Sequence, residues 1–538
     1  MKSRLPTILL AALAVSLQST SADPSSNPGP FEPAWNSLTN YQCPDWFRDA
    51  KFGIWAHWGA QCQPEHGDWY ARGMYEQGSG AYQSHLREYG HPSTNGFKDV
   101  IRQWQAADFD PGRLLRFYKD NGARYFVALA VHCDNLDNWN SKYQPWNSVN
   151  VGPHKDLIGG WARAARENGL RFGVSVHNAG WTWRWYEPAQ GADTNGPLAG
   201  VPYDGRLTKA DGKGQWWEGL DPQQLYAQNH AIGAAPDKAY CENITRRILQ
   251  LMDDYEPDLV YFDEGGLPMK YLGVNDSYGL GIYSHIYNDS VRRKGRNEAV
   301  ITAKLLDPIQ RQALVYDIER GKAEGILPQP WQTDTCLGQW HYNRELFEKH
   351  QYKSAAGVLC MLADIVSKNG NLLLSVPLQR GGQPDADELK IVSQIGAWLK
   401  VNGEAIYATR PWIVYGEGPS TATHEKGEFD GQSDFQTKPF TPEDIRFTRS
   451  KDGGTLYAIA LRRPESGPLR IRSLASTTDS YQNRIETVEL LGRDGPLEFS
   501  QTTNGLVVAL AGAQPVDLPC SLRIRGSGLQ PAPLPAAH

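Results

Sequence analysis

Eight short runs of mostly apolar residues recur between residues 52 and 377, and stretches of more polar sequence separate them. Their hydrophobicity is continuous rather than alternating, which is typical of strands buried on both faces of a parallel sheet. Eight such strands in one domain predict an α/β fold with a (β/α)8-like barrel. The predicted strands are 52–58, 125–132, 171–177, 259–263, 299–304, 313–319, 332–337 and 372–377.

Helical spacing of apolar residues appears in several of the intervening stretches. Residues 156–168 have this spacing and stop before Gly169, a residue that commonly ends a helix. Residues 243–255 show the same pattern and end before Pro257, which cannot continue a helix. These segments are the helices that a barrel of parallel strands requires between successive strands.

The pattern changes after about residue 400, where helical spacing nearly disappears. Short runs separated by Gly, Pro, Asp and Ser predict an antiparallel β-sandwich. We expect a barrel at 45–402, a sandwich at 403–526 and a disordered, Pro- and Ala-rich tail at 527–538, with the boundary near 402–408. The sandwich aromatics are few and scattered, which favours a structural buttress over a ligand-binding module. The predicted sandwich strands are 456–461, 469–471, 485–491, 506–510 and 522–524.

The first 22 residues have the layout of an export signal. Lys2 and Arg4 precede an apolar run at 5–17, and Thr20-Ser21-Ala22 supplies small residues for cleavage. The run is too short to span a bilayer, and no later run is long and apolar enough. We therefore expect export to the periplasm or the medium without a membrane span. Residues 23–44 are expected to form a flexible lead-in.

Composition argues against nucleic acid and structural zinc as partners and is compatible with a carbohydrate ligand. The 54 basic and 60 acidic residues give a net charge of −6, so nothing indicates a nucleic-acid partner. Seven cysteines without a CxxC pair argue against a structural zinc site. The 18 Trp and 25 Tyr suit a carbohydrate site, because aromatic rings stack on sugar C–H faces, although core packing explains them equally well.

Polar side chains end seven of the eight predicted strands. The carboxyl ends of barrel strands meet at one mouth, where the active sites of this fold lie. Repeated His and carboxylate residues at these positions therefore predict one shared pocket. The residues are His57, His132 with Asp134, His177, Asp263 with Glu264, Lys304, Glu319 and Asp334.

Asp263 is the sharpest catalytic candidate. It directly follows a buried strand, and Gly265 and Gly266 behind it let the backbone approach a ligand. Glu319 ends the sixth predicted strand, two strands after the one that ends at Asp263, so both carboxylates can face one pocket. Glycoside cleavage needs such a pair, one to attack or to activate water and one to protonate the leaving oxygen. Glu324 in the same loop is an alternative proton donor.

Several motifs resemble the α-L-fucosidases of glycoside hydrolase family 29. Residues 51–59, KFGIWAHWG, resemble the family's FGIFIHWG signature, and GDWY at 67–70 is similar to its GEWY. Residues 169–177 and 257–263 are similar to the family's third strand and its nucleophile strand. Residues 365–374 and 395–407 are very close to the end of its barrel. The resemblance covers about residues 45–410.

The resemblance implies an exo-acting, retaining enzyme that releases α-L-fucose from an oligosaccharide or glycoconjugate through a covalent intermediate on Asp263. Glu319 would then be the acid/base. The family needs no metal or organic cofactor. An aromatic ring would pack against the C5 methyl group of fucose. The −1 subsite would be lined by His57, Trp69, His132 and His177.

Three departures from the family pattern fall in this subsite. Cys133 stands where a second His is frequent, Lys304 stands where Arg is frequent, and His177 replaces a common Tyr. A point charge then replaces a bidentate guanidinium. A fucose-like sugar such as α-L-galactose is therefore an alternative substrate. A carbohydrate-binding protein on a degenerate barrel is the alternative from a different functional class.

Overall fold

The computed structural model describes residues 29–270, 273–421, 439–476, 483–510 and 517–531. The predicted signal peptide at 1–22 and most of the predicted tail, at 532–538, lie outside these residues. The domain that carries the strand-end residues and most of the sandwich are described, so the expected fold can be compared with the structure.

Eight parallel strands form a closed barrel in which each strand pairs with the next and β8 pairs with β1. Every run predicted from the sequence overlaps one of these strands, and the (β/α)8-like barrel is confirmed. The strands are buried on both faces, which explains their continuous hydrophobicity. They are β1 Phe52–Ala56, β2 Tyr125–Val131, β3 Arg171–Val176, β4 Leu259–Gly265, β5 Val300–Lys304, β6 Val315–Asp317, β7 Trp331–Cys336 and β8 Gly370–Ser375.

Helices surround the barrel, and acidic side chains begin several of them. Asp156 accepts a hydrogen bond from the Gly159 amide at the start of the helix predicted at 156–168. The helix predicted at 243–255 begins earlier, at Lys238, because Asp237 caps it by accepting from the Tyr240 amide. No helix among the described residues is long and apolar enough to cross a membrane.

The described helices vary from single turns to five turns. In chain order they are α1 Trp35–Leu38, α2 Asp45–Ala50, α3 Tyr70–Gly73, α4 Gly80–Glu88, α5 Phe97–Gln103, α6 Pro111–Asp120, α7 Leu157–Glu167, α8 Thr182–Trp185, α9 Pro222–Tyr226, α10 Lys238–Tyr255, α11 Ser277–Lys294, α12 Gln310–Ala313, α13 Arg344–Glu348, α14 Ala355–Ser367 and α15 Ala386–Asn402. The last of them ends where the barrel gives way to the second domain.

Two antiparallel sheets follow the barrel, and the predicted sandwich is confirmed. One sheet has the order β13-β16-β11-β10-β9 and the other has the order β12-β15-β14. The sequence predicted five of these strands and missed β9, β10 and β14. The strands are β9 Arg410–Glu417, β10 Ile445–Arg449, β11 Leu456–Ala460, β12 Leu469–Ile471, β13 Arg484–Leu490, β14 Phe499–Thr502, β15 Gly505–Val508 and β16 Cys520–Ser527.

The sandwich is attached to the last two barrel helices. Arg446 of β10 is buried and donates to Asp364 of α14 at 2.6 Å, and Lys368 donates to the same carboxylate at 2.7 Å. The indole of Trp398 in α15 donates to the Pro519 carbonyl at 2.6 Å. A buried arginine at the second position of β10 breaks the apolar pattern, which explains why the sequence did not reveal that strand.

The described part of the predicted lead-in is packed rather than flexible. Leu38 in α1 is fully buried, and Phe31 exchanges two backbone hydrogen bonds with the Asn288 side chain of α11. Aromatic packing adds to this contact, since the ring of Tyr41 stacks on Tyr287 with centroids 4.9 Å apart. The apolar residues of this segment were the sequence signal for packing, but the surrounding Ser- and Pro-rich composition concealed it.

Candidate active site

Three charged side chains meet at the side of the barrel mouth formed by β4 to β6. Asp263 lies within β4, Lys304 ends β5, and Glu319 follows β6 by two residues. The Lys304 ammonium lies 2.5 Å from Asp263 Oδ1 and also contacts Glu319 Oε2. One cation therefore joins the two carboxylates that the sequence selected.

A break in strand register aims Asp263 at this group. Phe262 pairs with Ala303, but the next pairing is Gly265 with Lys304, so the register shifts between them. Such bulges are frequent beside active sites because they redirect a side chain. Gly266 follows with φ +78°, a backbone conformation that residues with a Cβ rarely adopt, so this position favours glycine.

The surroundings of Asp263 favour its ionised form. Burial raises the pKa of this carboxyl, but the charge of Lys304 and the neighbouring His177 outweigh burial and hold the pKa well below its usual value. His177 Nδ1 lies 3.1 Å from Asp263 Oδ2, and the Tyr261 hydroxyl lies 3.4 Å from Oδ1. About a fifth of the side chain, 22%, remains exposed, so a ligand can reach it.

Glu319 is set for the opposite protonation state. Burial raises its pKa to about 7, with Asp334 and Asp263 adding to the rise and Lys304 opposing it. A carboxyl with such a pKa can give up and recover a proton near neutral pH. Glu324, the alternative from the sequence, is exposed. The geometry brings Glu319, rather than Glu324, to Asp263.

Four imidazoles occupy the other side of the mouth. His57, His132 and His177 each follow a strand by one residue, after β1, β2 and β3 respectively. Their ring centroids are 5.0–5.2 Å apart. His341, from the loop after β7, completes the group at 4.4 Å from the His57 ring and 4.8 Å from the His132 ring.

These imidazoles are buried, and some of their ring nitrogens have no hydrogen-bond partner among the described residues. Burial lowers the pKa of His57 and of His132 well below the usual value, and neighbouring imidazoles add to the effect. Both rings are therefore neutral at pH 7. Among the described residues, His57 Nδ1, His177 Nε2 and His341 Nε2 have no hydrogen-bond partner. Buried polar atoms usually are paired, so the cluster is built for a polar ligand.

The same rings also have the spacing of a metal site. One ring nitrogen from each of His57, His132 and His177 lies within 4.8 Å of the others. However, the Gln61 amide oxygen accepts from the Ala71 amide, which points its nitrogen at His132 Nδ1, 2.6 Å away. Gln61 therefore makes Nδ1 an acceptor and leaves the proton of His132 on Nε2. A protonated nitrogen suits a hydroxyl group better than a metal ion.

Trp69 lies at the rim of the mouth. It is 54% exposed and has a φ of +62°, in the left-handed region that a bulky residue rarely adopts. Its ring lies 5.0 Å from Trp185, which lies 5.6 Å from the His132 ring. The structure therefore connects Trp69 to the predicted subsite through Trp185.

The remaining acidic strand-end residues have partners elsewhere. Glu264 is buried and accepts from the Met269 amide at 2.7 Å, and burial raises its pKa to about 8. Burial also raises the pKa of Asp134 to about 6. Asp334 accepts from the Tyr261 hydroxyl at 2.9 Å, beneath Asp263. These groups shape the mouth rather than face its opening.

The sequence did not identify His341, Gln61 or Tyr261 as site residues. His341 belongs to a loop that Asp68 holds in place by accepting from the His341 amide at 2.7 Å. The Trp340-His341-Tyr342 run after a predicted strand was a usable signal for this loop. Gln61 and Tyr261 carried no signal, because their roles depend on contacts with His132 and Asp334 across the barrel.

A separate cavity of about 790 Å³ lies at the junction of barrel and sandwich. Its walls include Gly122 and Arg124, which precede β2, so it opens near the end of the barrel where the strands begin. It is therefore distant from the carboxylates and imidazoles. The chemistry of this chain belongs to the mouth at the opposite end.

Two carboxyl groups with opposed protonation states can cleave an acetal bond. The buried imidazoles beside them, with ring nitrogens that have no partner in the described structure, can hold a polyhydroxylated ring. One group remains anionic, as a nucleophile or charge stabiliser must, and the other keeps a proton for a leaving oxygen. This division of roles is the one that glycoside cleavage requires.

The relatives of the chain agree with this chemistry. A family model described as "Alpha-L-fucosidase" matches residues 18–404, and "Alpha-L-fucosidase C-terminal domain" matches residues 436–524. The human tissue α-L-fucosidase is 25% identical over 500 residues, which cover 91% of this chain and 90% of the relative. The α-L-fucosidase of Branchiostoma floridae is 26% identical over 513 residues, covering 92% and 96%.

Solved structures share the fold. The Thermotoga maritima α-fucosidase in complex with fucose superposes with a TM-score of 0.66 at 22% identity, and the match covers 92% of this chain and all of that one. The resemblance found in the sequence motifs of residues 45–410 is confirmed by the first family model, and the second model extends it to the C-terminal domain. The chain belongs to the α-L-fucosidase family and is a glycosidase.

Proposed function

We propose that this protein is an exo-acting, retaining glycosidase for α-L-fucosides and α-glycosides of the same ring configuration. One observation carries the proposal: Asp263 and Glu319 contact the same ammonium nitrogen. Their contacting oxygens are therefore no more than about 5 Å apart, close to the separation in retaining enzymes and too short for the water of an inverting mechanism.

In the first step, Asp263 attacks the anomeric carbon while Glu319 gives its proton to the leaving oxygen. The bond to the leaving group breaks as the glycosyl–Asp263 ester forms. The lowered pKa of Asp263 keeps the nucleophile ionised. The raised pKa of Glu319, about 7, keeps a proton available for the leaving group.

In the second step, the ionised Glu319 takes a proton from water as the water oxygen attacks the anomeric carbon. The ester bond breaks, Asp263 recovers its negative charge, and Glu319 is again protonated. Lys304 contacts both carboxylates, so its ammonium stabilises whichever of them is ionised during the cycle.

The imidazole side supports action on a terminal sugar. His57, His132 and His177 are almost completely buried, so this side of the mouth is a blind end. A sugar bound there has its hydroxyl groups enclosed, and the rest of the glycan must leave through the open rim near Trp69. Cleavage of terminal residues follows from this shape.

The stereochemistry of the first product tests the mechanism. With an aryl α-L-glycoside, proton NMR should show the α-anomer of the released sugar before mutarotation. Early accumulation of the β-anomer would instead identify an inverting enzyme.

A mechanism-based fluorinated glycoside tests the nucleophile. It should inactivate the enzyme with time and add one glycosyl mass to the peptide that contains Asp263. Wild-type protein that binds the sugar without turnover or label would be a carbohydrate-binding protein on a degenerate barrel. Label on a different residue would remove Asp263 from the nucleophile role.

We also propose that the protein is exported before it meets its substrate. The charged, apolar and small-residue segments at the N-terminus support this, and one relative is named plasma α-L-fucosidase. Expression in a secreting host should yield mature protein that begins at Asp23. Full-length protein retained in the cytoplasm would contradict export.

A further inference from the structure

A wall of large aromatic rings lies directly beside the nucleophile. The Trp55 ring packs 5.0 Å from Tyr261 and 5.4 Å from Trp340, and stacks 5.8 Å from His177. Tyr261 approaches Asp263 itself, with its hydroxyl 3.4 Å from Oδ1. The other aromatic pair, Trp69 and Trp185, lies at the rim beside His132.

The substituent at C5 of the sugar should face this wall. C5 is joined to the anomeric carbon through the ring oxygen, so its substituent lies close to the atom that Asp263 attacks. In the proposed function, the imidazoles are the partners of the three ring hydroxyl groups. The aromatic wall next to the nucleophile then remains as the surface against which the C5 substituent packs. The family resemblance implies the same packing.

This wall is not uniformly apolar. The Trp55 indole is 1% exposed, and within the described part of the chain its N–H has no hydrogen-bond partner. The Tyr261 hydroxyl donates to Asp334 at 2.9 Å and adds a second polar atom. A buried donor without a partner is unfavourable, and a ligand that accepts from it gains relative to one that cannot.

We propose that the preferred substrates carry a hydroxymethyl group at C5, which makes them α-L-galactosides, and that the hydroxyl at C6 accepts from the Trp55 indole N–H. This rests on the proposed function and names its sugar. L-Fucose differs from L-galactose only in having a methyl group at C5, which leaves the Trp55 donor unpaired. Sites that bond a substrate hydroxyl discriminate strongly against the analogue lacking it.

Paired kinetics on the two aryl α-L-glycosides test the proposal. The wild-type enzyme should have a kcat/KM at least about 10-fold higher for the galactoside than for the fucoside. Trp55→Phe keeps an aromatic ring and removes the N–H, so it should reduce this ratio about 10-fold, because activity on the galactoside should fall much further than activity on the fucoside.

Trp185→Phe is the matched control. The Trp185 indole N–H is also buried without a partner in the described structure, but it lies on the side of His132. This variant should change activity on both substrates by the same factor. If Trp55→Phe fails to fold in a thermal melt, inhibition of the wild-type enzyme by free L-galactose and L-fucose replaces it, with L-galactose expected to bind about 10-fold more tightly.

The outcomes separate this inference from the proposed function. Equal or better cleavage of the fucoside overturns the hydroxymethyl proposal and leaves a retaining glycosidase intact. An unchanged ratio in Trp55→Phe overturns the role of Trp55. Failure to cleave either substrate overturns the proposed function as well.

Discussion

The two sides of the barrel mouth differ in charge and in hydrogen bonding. On the β4–β6 side, the Lys304 ammonium contacts both Asp263 and Glu319 and balances the one negative charge that the two carboxyls carry while Glu319 is protonated. On the β1–β3 side, burial lowers the pKa of His57 and of His132, and the imidazole cluster keeps ring nitrogens without partners among the described residues. The charged groups of the β4–β6 side therefore have partners within the protein, whereas the β1–β3 side has ring nitrogens that a ligand can bind.

This difference indicates how the site divides its work. A compensated charge group can be buried at low cost, and a small change in proton position alters which carboxylate is anionic. Neutral imidazoles bind hydroxyl groups without disturbing those charges. Changes on the β4–β6 side should therefore affect kcat, and changes on the imidazole side should affect mainly KM.

Asp263→Ala should have the largest effect. It removes the attacking oxygen and should lower kcat by roughly four orders of magnitude while leaving the fold intact. Steady-state hydrolysis of an aryl glycoside measures kcat, and circular dichroism of the variant measures whether the fold is intact. Azide should restore part of the activity, because a small anion can occupy the space that the carboxylate leaves. Near-normal activity without azide would remove Asp263 from the mechanism.

Glu319→Gln should follow, with a loss of about 10²- to 10⁴-fold on substrates that need a proton for the leaving group. A dinitrophenyl leaving group needs no such proton, so it should show a much smaller loss in the first step. Glu324→Gln is the matched control and should retain wild-type rates, since that side chain is exposed. A larger loss in Glu324→Gln than in Glu319→Gln would reverse the assignment.

Lys304→Met should move the pH profile to higher pH. The Lys304 ammonium lowers the pKa of both Asp263 and Glu319, so its removal raises both. In the wild-type enzyme, kcat/KM should fall above about pH 7 as Glu319 loses its proton. Both limbs of the profile should shift upward by about one unit or more in the variant. Unchanged limbs would show that Lys304 does not set these protonation states.

Gln61→Met should have the smallest effect, on binding alone. It removes the hydrogen bond that fixes the proton of His132, at a cost of roughly 1 kcal/mol, or about a five-fold rise in KM. Gln63→Met, a nearby buried amide, is the control and should leave KM unchanged. A fall in kcat with constant KM would place Gln61 on the catalytic side of the comparison.

Much of the fold could be predicted because local patterns determine it. Strands buried on both faces have continuous apolar runs, and this signal located all eight barrel strands. The same reasoning missed β10, where Arg446 interrupts the pattern to pair with Asp364. It also misjudged residues 29–44, whose contact with Asn288 bridges more than 250 positions of the chain. Contacts of that range leave no local pattern.

The sequence by itself determined that His57, His132, His177 and Asp263 lie at one mouth, because strand ends in a barrel converge whatever the loops do. Only the tertiary structure brought Glu319 to the ammonium that contacts Asp263 and left Glu324 exposed. It also brought His341 to the imidazoles and aimed Asp263 at Lys304 through a register shift. These choices depend on how separate loops and strands close on one another. The periodicity of apolar residues describes a single helix or strand, so it carries no information about contacts between separate elements.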